Sequence, residues 1–481
     1  MKKVYVSGAG MTRFGELWKE DLRSLAVEAA KSALESAEIE RNAIDAIFVA
    51  NMGSSSLSGQ DHLGSLIASE LDINVPAFRI EAACASGGVA INLAKSYMLA
   101  NNCKNVLVIG VEKMTDVSAN DVTKVLARAA DEEYEAYFGA TFPSLYAMMA
   151  RAYMSKYGLT KEQLAEVSVK NHFHGTLNEK AQFQKEITVE DVVGAPAVAD
   201  PLGLLDCSPI TDGAAAIVLS VKKSKVQLLS SQVSTGNISL QNRPSFTSID
   251  ATVRSADLAF KEAGISRKNI ELVELHDCFS IAEIIAYEDL GFAKEGKGFE
   301  LIENKSAYRD GALPVNTSGG LKSCGHPVGA TGIKQVVEIF EQMTGQAGKR
   351  QLVNDSKILH LPIMSGVAEV LQLLVFLQMY KKSSAKVWRK YQERYQDKGN
   401  ATLLTWSTVH AAPSGFEAYT PYIIAIVQFS DKSKATVQLV DCNEADLASG
   451  IDCEPVYRKL YSDSSEGIIH YCVKYRPLQK S

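Results

Sequence analysis

The sequence predicts an α/β protein of two successive halves, each alternating strands with helices, followed by a small C-terminal β-barrel. Three observations lead there. Apolar runs of strand length alternate with amphipathic stretches of helical period up to about residue 378. Three loops carrying Cys or His, two of them glycine-rich, fall where a strand pattern gives way to a helix pattern. After Tyr380 the texture changes to a charged stretch and then to five short strands separated by turn residues.

In the first half, residues 4–8 and 46–50 read as strands with 22–37 as the helix between them. Residues 77–80 lead to the first special loop, 89–99 are a helix, and 105–110 and 214–220 are buried strands. Such alternation predicts a sheet flanked by helices. Residues 116–206 are long, charged and partly helical (146–156 and 161–172), and read as an excursion off the sheet. The second half repeats the scheme with a helix 249–263, a strand 270–275, a helix 281–290, a strand 313–316 and a helix 333–343. Residues 381–398 read as a linker helix with Trp388, Tyr391 and Tyr395 on one face. Strands at 401–410, 422–429, 434–440, 455–460 and 468–475 form the barrel. The expected domains are therefore 1–225, 226–380, the linker 381–398, and 399–481.

Composition narrows the function. A chain of 481 residues with 46% hydrophobic residues holds two or three domains with large cores. A net charge of −6 argues against nucleic acid as a partner. No charge-free apolar run reaches transmembrane length: residues 361–379 come near but contain Glu369 and two glutamines, so no membrane role is expected. Met1-Lys-Lys-Val-Tyr-Val runs directly into a strand pattern, without the features of a signal peptide. The eight cysteines form no Cys-x-x-Cys pair, which argues against a zinc ribbon, and the expected compartment is a reducing cytoplasm.

The chemistry is carried by the loops. Cys84 lies in Glu81-Ala-Ala-Cys-Ala-Ser-Gly-Gly88, at the first turn of a helix. The helix dipole and unpaired N–H groups there are expected to lower its pKa and make a thiolate nucleophile. His276 and Cys278 lie in Glu274-Leu-His-Asp-Cys-Phe-Ser280, and His326 in Asn316-Thr-Ser-Gly-Gly-Leu-Lys-Ser-Cys-Gly-His-Pro-Val-Gly-Ala-Thr-Gly332. Gly319, Gly320 and Gly325 give that loop its freedom, and Asn316 either positions a water or caps the turn. His172, His174 and Cys324 read as structural.

These three motifs, in this order, resemble the thiolase superfamily over residues 1–378. Glu81–Gly88 resembles its nucleophile loop, Gly325–Gly332 its Gly-His-Pro motif, and His276-Asp-Cys-Phe279 the motif of the archaeal and sterol-carrier-protein-type branch. The resemblance implies two similar α/β halves whose five-stranded sheets sandwich buried helices in five layers. It implies a Cys84 nucleophile with His326 as its base, and Cys278 as acid/base for the second substrate. It places His276 and an ordered water at the enolate oxygen. Coenzyme A thioesters are then substrates, and no metal or dissociable cofactor is required. A homodimer or homotetramer is implied, with condensation of two acetyl-CoA to acetoacetyl-CoA, or its reversal. The archaeal-type likeness points to mevalonate synthesis. Residues 415–422 and the last strand resemble the acyl-CoA-associated OB-fold family. That family usually carries a four-cysteine zinc ribbon ahead of its first strand, and here no cysteine lies between Tyr395 and Leu403. The fusion suggests 3-hydroxy-3-methylglutaryl-CoA synthase as a partner.

One stretch departs from the pattern. The family closes with a glycine loop of the type Asn-Val-Gly-Gly-Ser-Gly, and this chain has His360-Leu-Pro-Ile-Met-Ser-Gly-Val-Ala-Glu-Val370. Codons for residues 361–369 read one base over can encode Ala-His-Asn-Val-Gly-Gly-Ser-Gly, so residues 361–378 are either a pair of compensating frameshifts or a real loss of the loop. Two other functions stay open. One is a retro-aldolase acting on hydroxyacyl-CoA side chains, which would need no acyl-enzyme. The other is a non-catalytic scaffold of thiolase type.

Overall fold

The computed structural model describes residues 2–352, 359–362, 399–462 and 469–478. The expected linker helix 381–398, and the altered loop 361–378 beyond Pro362, lie outside the described residues.

The first half is built on β1 (Val4–Met11), β2 (Ala46–Ala50), β3 (Ala77–Ile80) and β4 (Asn105–Glu112). An excursion then carries the short strands β5 (Ala197–Ala199) and β6 (Leu202–Gly203), before the chain returns through β7 (Gly213–Ser220) and β8 (Val226–Leu228). The sheet order is β3-β2-β4-β7-β1-β8, so the five strands implied by the resemblance are joined by a short sixth at one edge. β2 runs parallel to β3 and β4, whereas β7 is antiparallel to β4 and β1.

Alternation along the strands serves both faces. Ile47, Val49, Leu107 and Ile109 pack with Leu25, Ala29 and Ala33 of the helix Leu22–Ala37. Phe48, Val106 and Val108 pack on the other face with Ile91 and Ala94 of the helix Ser86–Ala100, and with Ile333 and Val337 of the helix Thr331–Thr344. The helix Leu22–Ala37 starts at Asp21, whose carboxylate accepts from Ser24 N in a capping box, and ends on Glu38 in the left-handed conformation. Two buried helices therefore lie side by side beneath the sheet, and each starts at one of the special loops. They approach closely at Gly87, where a Cβ would come within 2.9 Å of Gly332 Cα.

The excursion contains the helices Phe142–Tyr157 and Lys161–Thr176, both begun by Thr-Ser or Thr-Gln capping boxes. In the second half, β9 (Ile270–Glu274) pairs in parallel with β10 (Leu359–Pro362). The strand expected at 313–316 is reduced to a single bridge between Val315 and Val273. Pro314 lacks an N–H, and Asn316 turns into the left-handed region at φ 56°, so the ladder cannot continue.

β11 (Ala401–Val409), β12 (Tyr422–Phe429), β13 (Lys434–Leu439), β14 (Asp452–Ser462) and β15 (Ile469–Pro477) close into a barrel in the order β11-β12-β13-β15-β14 and back to β11. Its interior holds Leu403, Ala425, Val427, Val437 and Tyr475. The barrel does not hang from its tether. β11 pairs with β5 at Val409 and Ala199, extending the barrel into the excursion. Thr405 Oγ1 donates to Met148 O (3.0 Å), Tyr422 OH to Gly139 O (2.7 Å) and Gln438 Nε2 to Phe138 O (2.9 Å). Val409, Ile424 and Ile426 share one apolar core with Leu145, Met148 and Met149 of the helix Phe142–Tyr157.

Val409 is fully buried at this junction. Val409→Asp places an unpaired charge there, which is expected to cost on the order of 3–5 kcal/mol. The expected result is a lowered melting temperature and release of a barrel fragment on limited proteolysis. Unchanged melting would show that the barrel is merely tethered.

Candidate active site

Cys84 sits in a short 3-10 turn (Ala83–Ala85) that feeds the helix Ser86–Ala100. Ser86 Oγ accepts from Ala82 N at 2.8 Å and donates to Ala83 O at 2.6 Å, and Glu81 Oε1 accepts from Ala83 N at 2.7 Å. The turn is thus fixed by its own neighbours. The loop of His326 reaches it from the start of the neighbouring helix Thr331–Thr344, and Cys84 Sγ lies 3.3 Å from His326 Nε2.

The tautomer of His326 follows from its partners. Thr331 Oγ1 is 2.7 Å from His326 Nδ1 and donates its own hydrogen to Pro327 O at 3.2 Å. Its lone pair is left to accept from Nδ1–H, so Nε2 is unprotonated and faces the thiol. Thr211 Oγ1 accepts from His326 N at 3.0 Å, holding the backbone as well.

His276 and Cys278 arrive from the end of β9. The rings of His276 and His326 meet edge to face with centroids 5.0 Å apart. His276 Nε2 is buried and has no hydrogen-bond partner. Cys278 lies beside Tyr146 of the helix Phe142–Tyr157 in the cavity wall. Cys84, His276, Cys278 and His326 line one cavity of about 140 Å³, whose remaining wall is mostly apolar and includes Phe142 and Phe279. That is close to the ~150 Å³ of an apolar cavity that takes one benzene.

Asn316 and the loop glycines stand behind this cavity. Asn316 Oδ1 accepts from Leu275 N at 2.8 Å and its Nδ2 donates to Glu283 at 2.9 Å, so its amide holds the loop to the end of β9. Gly319 and Gly325 have φ of 97° and 111°. Gly320, at φ 59°, packs against Asp277, and a Cβ there would fall 2.3 Å from Asp277 Oδ2. His174 has both ring nitrogens on backbone, at Asn316 O (3.0 Å) and Arg309 N (3.0 Å), in keeping with a structural role. Glu112 accepts from Met52 N, Gly53 N and Gly329 N, clamping the loop after β2 to the Gly-His-Pro loop. Thr331, Thr211, Tyr146 and Glu112 were not legible as site residues. Thr331 lies five residues after His326 on the next helix, a spacing that could have flagged it. Tyr146 comes from the excursion and carries no local signal.

The expected thiolate is not what burial gives. Desolvation, then Glu112 and then Glu81, push the Cys84 thiol up to about 12, and the backbone N–H at the helix start only partly opposes them. Burial also holds His326 well below the usual imidazole range, helped by His276 and Lys334, and burial lowers His276 to about 3. The resting pair is therefore a neutral thiol and a neutral imidazole. The proton leaves sulfur only as the sulfur attacks. One ligand atom each from Cys84, His276 and His326 lie within 4.8 Å of one another, the one group among the described residues that could hold a metal ion. A thiolate and two imidazoles would suit zinc, and zinc there would occupy the nucleophile.

The comparisons with known proteins agree with this geometry. The family description "Thiolase, N-terminal domain" matches residues 4–223, and "Thiolase C-terminal domain-like" matches 232–371. An acetyl-CoA acetyltransferase of Methanothermobacter thermautotrophicus is 48% identical over 360 residues, covering 73% of this chain and 94% of that protein. The chain belongs to the thiolase family. The description "ChsH2, C-terminal OB-fold domain" matches residues 396–458. Among solved structures, a monomeric SCP2-thiolase-like protein type 1 from Mycobacterium smegmatis aligns over 98% of both chains with a TM-score of 0.67 at 16% identity. An Ltp2-ChsH2(DUF35) aldolase aligns over 73% of this chain and 92% of its own with a TM-score of 0.61 at 22% identity. With the family matches, these likenesses show the fold of a thiolase core followed by an OB-type barrel. No helix among the described residues is long and apolar enough to cross a membrane.

A neutral Cys–His pair has a consequence for reactivity. Alkylation of Cys84 by iodoacetamide in the free enzyme is expected to keep rising with pH, without a plateau at or below about 8.5, the ordinary thiol value. A plateau in the acidic range, read by mass spectrometry of the Cys84 peptide, would establish a thiolate–imidazolium pair instead.

Proposed function

We propose that this thiolase-family protein is an acetyl-CoA C-acetyltransferase that condenses two acetyl-CoA into acetoacetyl-CoA, or runs the reverse thiolysis. The observation that carries the reading is the 3.3 Å contact between Cys84 Sγ and His326 Nε2 in a cavity shared with His276 and Cys278. The identity to the archaeal acetyl-CoA acetyltransferase supports the acetyl substrate. So does the cavity volume of about 140 Å³, which suits a short acyl group.

In the first half-reaction Cys84 attacks the thioester carbonyl while its proton passes to His326 Nε2. The C–S bond to coenzyme A breaks, the leaving thiolate takes that proton, and acetyl-Cys84 remains. The N–H of Cys84 at the helix start helps hold the oxyanion. In the second half-reaction Cys278, in its thiolate form, removes the α-proton of a second acetyl-CoA. His276 Nε2, which has no partner, faces the developing enolate oxygen directly or through water. The carbanion attacks the acetyl-Cys84 carbonyl, the bond from that carbon to Cys84 sulfur breaks as acetoacetyl-CoA leaves, and the Cys84 thiolate takes up the proton that Cys278 removed. Cys84 cannot both attack and ligate a metal, so the proposed reaction uses no metal and no dissociable cofactor. An aldol cleavage would not need the Cys84–His326 pair. The wider role, a homo-oligomeric cytoplasmic enzyme passing acetoacetyl-CoA to 3-hydroxy-3-methylglutaryl-CoA synthase for mevalonate synthesis, rests on the family resemblance.

Radiolabelled acetyl-CoA should label the enzyme covalently at Cys84, and Cys84→Ser should lose label and turnover by a factor of at least about 1,000. Near-normal turnover in that variant would sink the acyl-enzyme route. Cys278→Ala should still take the acetyl group yet fail to condense, and equal loss of both half-reactions would remove Cys278 from the role of α-proton base. Dialysis against a chelator should leave acetyl transfer intact, while added zinc should inhibit it. Activity restored by zinc would contradict the metal-free reading.

A further inference from the structure

The cavity at Cys84 has a rim and a closed end. Half-buried residues form the rim, among them Thr123, Leu126, Phe142, Pro143, Ser208 and Ile210. The closed end lies deeper: Tyr146 and Val328 are 1% exposed there, Met114 2% and Phe279 7%. Substrate enters past the rim, so the side chains at the closed end decide how long an acyl group can be.

Three of these four are poor candidates for setting that length. Val328 lies two residues after His326, and Phe279 follows Cys278 directly, so both belong to loops that the chemistry already constrains. Met114 is unbranched and adapts its shape to what lies beside it. Tyr146 differs from them. It is among the largest fully buried side chains, and it comes from a helix, Phe142–Tyr157, that carries no reacting group. Its ring packs against that of Phe279 with centroids 4.5 Å apart. The helix behind it is fixed. Thr141 Oγ1 accepts from Ser144 N at its start, and Met148 O, two residues beyond Tyr146, accepts from Thr405 Oγ1 of the barrel at 3.0 Å. Leu145, Met148 and Met149 share a core with Val409, Ile424 and Ile426. A ring wedged in so packed an interior has nowhere to withdraw when a longer chain presses on it.

The size of the cavity agrees. Its volume of about 140 Å³ is close to the ~150 Å³ that takes one benzene. An acetoacetyl group has as many non-hydrogen atoms as benzene. The two acetyl groups that must meet at Cys84 therefore fill the space, and no room remains for a longer chain.

We propose that Tyr146 is a specificity-determining residue that ends the acyl pocket and restricts this enzyme to acetyl and acetoacetyl thioesters. This rests on the reading of Cys84 as the acyl acceptor and deepens it. A longer straight-chain acyl group on Cys84 would have to drive Tyr146 against Phe279 or into the core shared with the barrel. Shortening Tyr146 opens the closed end without altering Cys84, His276, Cys278 or His326.

The test uses the full-length enzyme. It compares thiolysis of acetoacetyl-CoA with that of 3-oxooctanoyl-CoA, and loading of radiolabelled acetyl-CoA with that of hexanoyl-CoA. Wild type should favour the short member of each pair by at least about 100-fold in kcat/KM, since a single methylene in an apolar pocket is worth ~10–200-fold. Tyr146→Ala should raise the long-to-short ratio by at least about 10-fold. Tyr146→Leu, a milder change to the core, should raise it to a lesser degree and gives the reading if Tyr146→Ala does not fold. Tyr146→Phe keeps the ring and should keep the wild-type ratio. A merely structural role would lower both members together. An unmoved ratio in folded Tyr146→Ala or Tyr146→Leu would therefore overturn the role of Tyr146, while label on Cys84 left the acyl-enzyme reading standing. A wild type that takes hexanoyl and acetyl equally would do the same. No label on wild-type Cys84 from either acyl-CoA would overturn the acyl-enzyme reading and this proposal with it.

Discussion

The carboxylate of Asp277 fastens the two catalytic loops of the second half to each other, and the geometry of the cavity depends on it. It lies between His276 and Cys278 in sequence, and its oxygens accept from Leu321 N, Lys322 N and Asn171 Nδ2. The loop that carries His326 is thereby hung from the loop that carries the other two groups. Gly320 is where this close approach tolerates no side chain. Asn171 also bonds Glu283, which in turn pairs with Lys170 and accepts from Asn316. A continuous buried network thus runs from the excursion through the start of the helix Ser280–Asp289 to the loop. Removing one member would leave the others buried and unpaired, which costs more than a single hydrogen bond. The sulfur and imidazole atoms are held by this scaffold, while the edge facing substrate stays free.

Burial also sets the style of the chemistry. A helix start ordinarily favours a thiolate. Here desolvation and two glutamates outweigh it, and the nearby imidazoles are themselves too buried to carry charge. Charge therefore appears only with the substrate, at atoms already aimed by Thr331 and by the end of β9. A neutral resting site needs fewer compensating ions in its walls, which is consistent with a cavity lined largely by apolar side chains.

Local pattern carried much of this architecture. The helix 22–37 and the strands 46–50 and 422–429 match the structure to the residue, because apolar spacing, caps and turn residues all agree there. The motif order was enough to bring Cys84, His276, Cys278 and His326 to one place. Chain-distant facts were not legible. Tyr146 reaches Cys278 from the excursion, and only the fold brings them together. Glu112 lies two residues beyond the strand expected at 105–110, and nothing local showed that three N–H groups from two other loops converge on it. The thiol shift at Cys84 was misjudged for the same reason. The helix start is visible in sequence, whereas the depth of burial and the approach of Glu112 belong to the packed structure. Pro314 and the left-handed Asn316 were visible as residue types, and their effect in cutting short a strand was underweighted.

The barrel shows how an added domain enters the chemistry without touching it. Its contacts fall on the helix Phe142–Tyr157 and on the turn just before it, at Met148 O, Phe138 O and Gly139 O. The first two turns of that helix supply Phe142 and Tyr146 to the cavity wall. A helix begun by a single capping box, on an excursion from the sheet, would by itself be free to shift against the core. Strand pairing at Val409, three side-chain hydrogen bonds and a shared apolar core oppose that freedom from the outer side. The contact between Tyr146 and Cys278 is then fixed from both directions, by the core on one side and the barrel on the other. Fusion in one chain keeps this brace at a high effective concentration. The barrel is therefore part of what holds Phe142 and Tyr146 in the cavity wall, and more than a passenger on the thiolase core.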